Sequence, residues 1–235
     1  MILCIETATP VCSVCLSDKG IPIILRESTL LRDHASRLTL FIEEVLAEAR
    51  IRPSDLDMIA VSMGPGSYTG LRIGVSVAKG LSYGAGVPMA GISTLLAMAQ
   101  GALNLPQVRE KKESYPGQHI LVPMIDARRM EVYTAWYTRR LKILKEPHAL
   151  VVESGSFHEL HEDRILFFGG DGAGKCRKLI THPGAVFLDH LQASACYLAP
   201  LANELFEKKE FADTAYFEPF YLKDFIPTVP RNRLG

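Results

Sequence analysis

Gly64-Pro65-Gly66-Ser67-Tyr68-Thr69-Gly70-Leu71-Arg72-Ile73-Gly74 is the stretch of this chain that decides the fold. It follows a strand-like apolar run, Met58 to Met63, and leads into a helix-like run, Leu71 to Tyr83. Proline fixes its own φ, and glycine permits backbone angles and close approaches that a Cβ would forbid. We therefore expect a shaped loop that opens a helix, with Ser67 or Thr69 as the cap.

Three interpretations of this loop remain open from the sequence. Free N–H groups at a helix N-terminus can bind a phosphate, which makes Gly66 and Ser67 candidate anion contacts. The spacing is, however, neither the dinucleotide pattern G-x-G-x-x-G nor a P-loop. The segment can equally be a tight connection to a helix packed inside the domain. In the third interpretation the helix packs against a second subunit, because Gly70, Gly74 and Ala78 recur every four residues and allow close approach.

The composition is that of an ordinary globular protein. The chain has 235 residues, 48% of them hydrophobic, which suffices for one large domain or two small ones. Lys plus Arg and Asp plus Glu number 26 each, so no global basic field draws the chain to nucleic acid or lipid. No apolar run approaches the roughly 20 residues of a membrane span, and no charged leader precedes Ile2. We expect a cytoplasmic protein with no membrane contact.

The five cysteines are not expected to form disulfides, because most of them lie among apolar neighbours and their number is odd. Cys12 and Cys15 match C-x-x-C but fall in a strand-like run. Odd and even positions of a strand face opposite sides, so the two sulfurs should diverge.

The order of elements indicates an internal duplication. Three short strands open the chain, and after a polar connection three more strands repeat the theme. In the first half we predict strands Ile2 to Thr7, Val11 to Ser17 and Ile21 to Glu27, an amphipathic helix Asp33 to Arg50 capped by Asp33, and a helix capped by Ser93. In the second half we predict strands His119 to Asp126, Met130 to Tyr137, Leu141 to Glu146, Arg164 to Phe168 and Ala185 to Asp189, with helices near Ser154 to His161, from Ala173 and from Gln192 to Lys209.

The predicted domains are a first lobe at 1–103, an exposed connection at 104–118 and a second lobe at 119–235. The C-terminal part, Tyr216 to Gly235, is aromatic and proline-bearing. It can dock on the second lobe or contribute to a partner, and the sequence leaves both open.

Two such α/β lobes face each other across a cleft in the actin-like ATPase (ASKHA) folds, where each lobe offers an acid at the end of its first strand for metal and phosphate. Glu6 and Asp126 occupy that place here. Asp126 is followed by Ala127-Arg128-Arg129, and Arg128 can either bind an anion or belong to a structural hairpin. One functional hypothesis is therefore an active actin-like ATPase or phosphotransferase that uses Glu6 and Asp126.

A second glycine-rich segment, Gly169 to Cys176, nearly matches a P-loop, but Cys176 stands where magnesium needs a hydroxyl. Its better interpretation is a turn closing the cleft, with Gly170 and Gly172 as candidate nucleotide contacts. A helical metal pair would need a ligand four residues after His34, and that position is Leu38. No nucleophile elbow is present. We therefore assign no catalytic residue and no metal site.

Five segments taken together resemble one known family, and they follow one another along nearly the whole chain. They are 2–9, 34–38, 64–74, 124–133 and 170–173, of which the glycine loop 64–74 is the most specific. The resemblance is to the bacterial TsaB family, also called YeaZ. It implies the ASKHA fold and a role in forming N6-threonylcarbamoyladenosine (t6A) beside the tRNA anticodon.

In that family the paralogue TsaD performs the transfer, TsaB is its required partner and the small ATPase TsaE is a third component. The resemblance implies a non-catalytic subunit that activates TsaD and meets tRNA through the complex. It also implies pairing through the first two helices, with interface residues Leu38, Ile42, Gly70, Gly74 and Ala78. The same surface can form a homodimer when TsaD is absent.

No tightly bound cofactor is expected in such a subunit, and ATP or ADP with magnesium would bind weakly or at the interface. One expectation is directly testable. Gly74→Leu should weaken the heterodimer and leave the isolated fold largely intact.

Overall fold

The computed structural model describes residues 1–29 and 34–223, in which two five-stranded sheets form the frame. The first sheet has the order β3-β2-β1-β4-β5, with β1 antiparallel to β2 and parallel to β4. Its strands are β1 Ile2–Glu6, β2 Cys12–Asp18, β3 Ile21–Ser28, β4 Met58–Gly64 and β5 Met89–Ser93.

The second sheet repeats this topology, and the predicted duplication is confirmed. Its order is β10-β9-β6-β7-β8, so the third, second, first, fourth and fifth strands again lie side by side. Here too the first strand is antiparallel to the second and parallel to the fourth. These strands are β6 His119–Asp126, β7 Glu131–Thr138, β8 Ile143–Val151, β9 Ile165–Gly169 and β10 Ala185–Leu188.

Six α-helices connect and cover the sheets in the described ranges. They are α1 His34–Ala49, α2 Tyr68–Ala85, α3 Thr94–Ala102, α4 Pro106–Arg109, α5 Ala173–Cys176 and α6 Leu198–Lys208. Residues Pro53–Asp55 and Ala195–Tyr197 add short 3-10 turns. None of these helices is long and apolar enough to cross a membrane.

The predicted apolar stripe of helix α1 packs against the first sheet and so fixes the position of the helix. Leu38, Phe41, Ile42, Val45 and Leu46 are buried against one face of the first sheet, which includes Cys12, Val14 and Leu16 of β2. Cys15 faces the opposite side and belongs to a different cluster of buried residues. The two sulfurs of the C-x-x-C pattern therefore diverge, as predicted. The predicted cap Asp33 lies outside the described residues.

Two helices pack on the sheet that the other half of the sequence forms. Helix α3 precedes residue 103 in sequence, yet Leu95 and Met98 pack among Leu121 and Tyr137 of the second sheet. Helix α6 belongs to the predicted second lobe, yet its apolar side covers the first sheet. This cluster joins Leu198, Ala199, Leu201 and Ala202 to Ile2, Cys4, Met58 and Ala60. Each sheet is therefore buried on one face by a helix from the other half of the sequence.

The C-terminal segment 212–223 lies on the first lobe, which corrects the alternative that placed it on the second. Ala212 N donates to the Met89 carbonyl at 2.8 Å, and Phe220 N donates to the Met63 carbonyl at 2.7 Å. The Lys79 ammonium fixes the segment from the other side by donating to two of its carbonyls, at 3.1 and 3.0 Å. An ion pair between Lys223 and Glu131 connects the end of this segment to the second lobe. Residues 224–235 of this prediction lie outside the described residues.

Three predicted helices differ in length or nature. Ser154 to His161 forms a series of turns instead of a helix. The helix from Ala173 is a single turn, and the long helix expected from Gln192 begins at Leu198. The 104–118 connection contains the short helix α4, whose Val108 is buried.

Candidate functional site

The glycine loop packs against the connection between β1 and β2. Ser67 N donates to the Ala8 carbonyl at 2.6 Å, and a Cβ placed on Gly66 would overlap the same carbonyl. The Ser67 hydroxyl accepts a hydrogen bond from Gly70 N at 3.3 Å and caps α2, as predicted. The Ser67 N–H, one of the predicted anion contacts, is therefore bound to the chain's own backbone, and Gly66 packs closely against the same carbonyl.

The stripe Gly70, Gly74 and Ala78 is buried inside the first lobe. A Cβ on Gly70 would overlap the Thr7 carbonyl, and one on Gly74 would overlap the Thr7 hydroxyl, which donates to the Gly70 carbonyl at 2.8 Å. Close approach of a backbone is what these glycines permit, but the approaching backbone is that of Thr7 in the same chain.

This corrects the assignment of the five predicted interface residues. Leu38, Ile42, Gly70, Gly74 and Ala78 are all buried within the isolated chain. A partner that docks on α1 and α2 would therefore contact other residues of these helices. Gly74→Leu would disrupt the lobe itself, contrary to the expectation of an intact fold.

The outer face of α2 carries a second row at the same four-residue spacing. Ser76, Gly80 and Gly84 are exposed, and a Cβ on either glycine would meet no atom within 4 Å. Tyr83 beside them is 88% exposed, and Leu40 on α1 is 49% exposed. The sequence contained this signal, since both rows repeat every four residues, but the spacing alone does not say which row faces the sheet.

Glu6 ends β1 with a fully buried carboxyl group. Its Oε1 accepts a hydrogen bond from Ala8 N at 2.6 Å, and Oε2 has no hydrogen-bond partner within the described residues. Burial raises the pKa of Glu6 to about 7, although hydrogen bonds from Ala8 and Ser62 act in the opposite direction. A carboxyl sealed in this way contributes little to binding a hydrated cation.

Asp126 ends the corresponding strand β6 and is engaged by its own lobe. Its Oδ1 accepts from Arg128 N at 2.8 Å and pairs with the Lys175 ammonium. Lys175 also donates to the Glu131 carbonyl at 2.7 Å. The lysine of the P-loop-like segment thus neutralises the candidate catalytic acid, a partnership that the sequence did not indicate.

Arg128 and the glycines Gly170 and Gly172 have structural roles in this lobe. Arg128 and Arg129 adopt positive φ angles of 71° and 49°, as the central residues of a tight hairpin turn do. Of the two roles considered for Arg128, anion binding or a structural hairpin, the structure shows the hairpin. A Cβ on Gly172 would lie 2.9 Å from the Ile125 carbonyl carbon, and one on Gly170, with φ of 113°, would overlap the Met124 carbonyl. Both glycines therefore permit the turn to pack on the end of β6.

The cleft between the lobes is narrow. Its cavity of about 100 Å³ is bounded by Thr9, Pro10 and Val11 from the first lobe and by Asp171, Gln192 and Ala193 from the second. Ligand pockets in proteins usually measure about 300 to 1,000 Å³. No group of three or more His, Cys, Asp or Glu side chains in the described ranges could hold a metal ion.

Two sheets of identical topology, each opened by an antiparallel meander, define the class as an actin-like ATPase fold, which confirms the predicted fold class. The family model for TsaD, tRNA N6-adenosine threonylcarbamoyltransferase, matches residues 28–154. The tRNA threonylcarbamoyladenosine biosynthesis protein TsaB of Escherichia coli (strain K12) is 31% identical, over 96% of this chain and 95% of its own length. The chain belongs to the TsaB family.

Two further comparisons agree with this assignment. The solved structure of YeaZ from Pseudomonas aeruginosa matches with a TM-score of 0.80 and 27% identity, over 94% of this chain and 99% of that chain. A tRNA N6-adenosine threonylcarbamoyltransferase of Paracoccus denitrificans (strain Pd 1222) is 50% identical over 68 residues, which are 29% of this chain and 19% of that enzyme.

Proposed function

We propose that this chain is a non-catalytic subunit that binds TsaD and activates it during the formation of t6A. TsaD would transfer the threonylcarbamoyl group to N6 of the adenosine beside the anticodon, in tRNAs that read codons beginning with A. Membership of the TsaB family supports the assignment of this chain to t6A formation, because its relatives are named tRNA threonylcarbamoyladenosine biosynthesis proteins.

The observation that carries the non-catalytic role is the state of the two strand-end acids. Asp126 is paired with Lys175, and Glu6 is fully buried and bound to a backbone amide. Both acids stand where an actin-like ATPase would bind metal and phosphate, yet each is already part of its own lobe. The cavity of about 100 Å³ between the lobes, lined by Thr9, Val11 and Asp171 among others, is smaller than the usual ligand pocket. The reactive centre is accordingly supplied by the partner.

The proposed docking surface for TsaD is the outer face of α1 and α2. It includes Leu40, Ser76, Gly80 and Tyr83, which are exposed in the isolated chain. Small residues in the middle of this face allow the close helix packing of an interface of standard size. The same face forms a homodimer when TsaD is absent, and TsaE joins the complex as a third component. Weakly bound ATP or ADP with magnesium would lie at a subunit interface, and the complex would act on tRNA in the cytoplasm.

Reconstitution of threonylcarbamoyl transfer tests this function. TsaD and unmodified tRNA are assayed with and without the chain, and modified nucleoside is quantified by mass spectrometry. We expect the chain alone to give no product and its addition to raise the rate of TsaD by at least about tenfold, an effect of about 1.4 kcal/mol on the barrier.

Asp126→Asn separates this role from that of an active ATPase. Asp189→Asn is the matched control, because Asp189 is also ion-paired on the second lobe, with Arg177. Under the proposal both variants still activate TsaD. Nucleotide turnover by the isolated chain that Asp126→Asn abolishes and Asp189→Asn retains would overturn the non-catalytic role and favour the enzyme.

A further inference from the structure

A basic pocket opens at the end of the second lobe, away from the interlobe cleft. Its volume is about 610 Å³, within the usual range for ligand sites. Four cationic side chains line it, Arg139, Arg140, Lys142 and Arg164. They come from the turn between β7 and β8 and from the start of β9, and the loop 113–117 forms the opposite wall. We call these four residues the basic pocket.

The basic pocket carries a local surplus of positive charge in a chain that is neutral as a whole. Glu113 is the one carboxylate in its wall, and the Oε1 of Glu113 accepts a hydrogen bond from His119 N at 3.1 Å. None of the four cations forms a close ion pair with an acid in the described ranges, although Arg164 lies near enough to Asp163 for the two charges to interact. Cations elsewhere do so, as Arg26 with Glu44, Lys175 with Asp126 and Arg177 with Asp189 show.

Two of the four cations are held in place by the backbone. Arg139 Nη1 donates to the Lys111 carbonyl at 2.6 Å, and Arg164 Nη1 donates to the Gly117 carbonyl. The Arg164 guanidinium also lies 5.2 Å from the ring centroid of Tyr115. A guanidinium has five N–H donors, so each arginine keeps donors for a ligand after these bonds form. Arg140 and Lys142 are exposed and can adjust to the ligand.

The chemistry of this arrangement selects phosphate. Planar guanidinium groups bind phosphate oxygens in pairs, and lysine adds a mobile point charge. Lys111 and Lys112, which are exposed, add two cations next to the pocket, where the Lys111 carbonyl contacts Arg139. Several cations in one region fit a chain of phosphates better than a single anion.

We infer that the basic pocket binds the phosphodiester backbone of RNA and that it holds part of the tRNA in the modification complex. This inference rests on the proposed function for the identity of the RNA. The sequence could not show the pocket, because its residues come from segments up to 51 positions apart, such as Glu113 and Arg164.

The test neutralises the two exposed cations together, as Arg140→Gln with Lys142→Gln. Neither side chain makes an ion pair in the described ranges, so the fold should be unaffected. The matched control, Lys178→Gln with Lys208→Gln, removes the same charge at exposed positions elsewhere. Binding of unmodified tRNA is measured by fluorescence anisotropy at several salt concentrations, for the complex with TsaD and for the isolated chain.

We expect the Arg140→Gln and Lys142→Gln pair to weaken tRNA binding by about tenfold near 0.1 M salt and to reduce the salt slope by about 1.5, since each lost phosphate contact removes roughly 0.7 to 0.9. The control pair should change neither quantity. Equal affinity and slope for both pairs would overturn the inference. So would a loss of ATP binding with unchanged tRNA binding, because it would make the pocket a nucleotide site.

The two proposals fail in different ways. If the natural chain does not activate TsaD at saturating tRNA, the proposed function is wrong, whatever the binding data show. If the natural chain activates TsaD normally at saturating tRNA and the two pairs of variants bind tRNA equally, the inference that the basic pocket binds RNA is wrong. The proposed function then stands.

Discussion

Glu6 is a carboxyl group that the fold keeps from water at the end of β1. Its pKa of about 7 means that the folded chain binds this proton more tightly than the unfolded chain, whose ordinary value is near 4.5. The stability linked to Glu6 is therefore complete below about pH 4.5 and is lost as the pH rises through about 7.

Glu6→Gln removes this titration. Between pH 5 and pH 8 the free energy of unfolding of the natural chain should fall by about 2 to 3 kcal/mol more than that of Glu6→Gln. Urea denaturation at the two pH values measures the difference. Glu207→Gln, an exposed carboxyl on α6, is the control and should follow the natural chain. Parallel pH dependences of the natural chain and Glu6→Gln would show that Glu6 does not titrate in this range.

The two glycine rows of α2 predict opposite effects of one methyl group. Gly74→Ala places a Cβ against the buried Thr7 hydroxyl and should lower the free energy of unfolding by about 1 to 3 kcal/mol. Gly80→Ala meets no atom and should raise it by about 0.5 to 1 kcal/mol, because alanine favours the helix. Thermal denaturation of both variants checks the sign. Equal effects would mean that the inner row is not tightly packed.

At the scale of elements, the outer face of α2 makes the docking proposal testable without disturbing the lobe. Gly80→Arg extends into open space, so the isolated chain should stay folded while a partner on this face is blocked. Gly174→Arg is the matched control, since Gly174 is also an exposed helical glycine with no atom near its Cβ, on the other lobe.

We expect Gly80→Arg to weaken the complex with TsaD at least about tenfold, or about 1.4 kcal/mol, in analytical ultracentrifugation or calorimetry. Gly174→Arg should bind TsaD as the natural chain does. Unchanged binding by a folded Gly80→Arg would remove α2 from the docking surface.

Most elements were predictable from the sequence because their signals are local. The Ser93 cap was predicted and is present, with Leu96 N donating to the Ser93 hydroxyl at 3.4 Å. The alternation of Cys12 and Cys15 and the stripe of α1 were also local patterns. Which face of α2 meets the sheet was not predictable, because both rows of small residues have the same spacing. The pairing of Asp126 with Lys175 was hidden for another reason, since the two residues are 49 positions apart.

At the scale of the whole molecule, the exchange of α3 and α6 joins the lobes into one structure. Periodicity shows that a helix has an apolar side but not which sheet that side covers, so the sequence did not show this exchange. Removing either helix would expose the buried face of a sheet formed by the other half of the sequence. The two lobes should therefore unfold together instead of one after the other.

Separate reporters on the two lobes can test this coupling. Trp136 is the single tryptophan and is buried in the second lobe, whereas Cys4, Cys12 and Cys15 are buried in the first. In urea, Trp136 fluorescence and thiol labelling of these cysteines should give the same midpoint. Leu95→Ala should shift both midpoints together, since loss of a buried leucine costs about 2 to 5 kcal/mol and Leu95 packs in the core of the second lobe. Labelling of the cysteines at a urea concentration that leaves Trp136 fluorescence native would show that the lobes unfold independently.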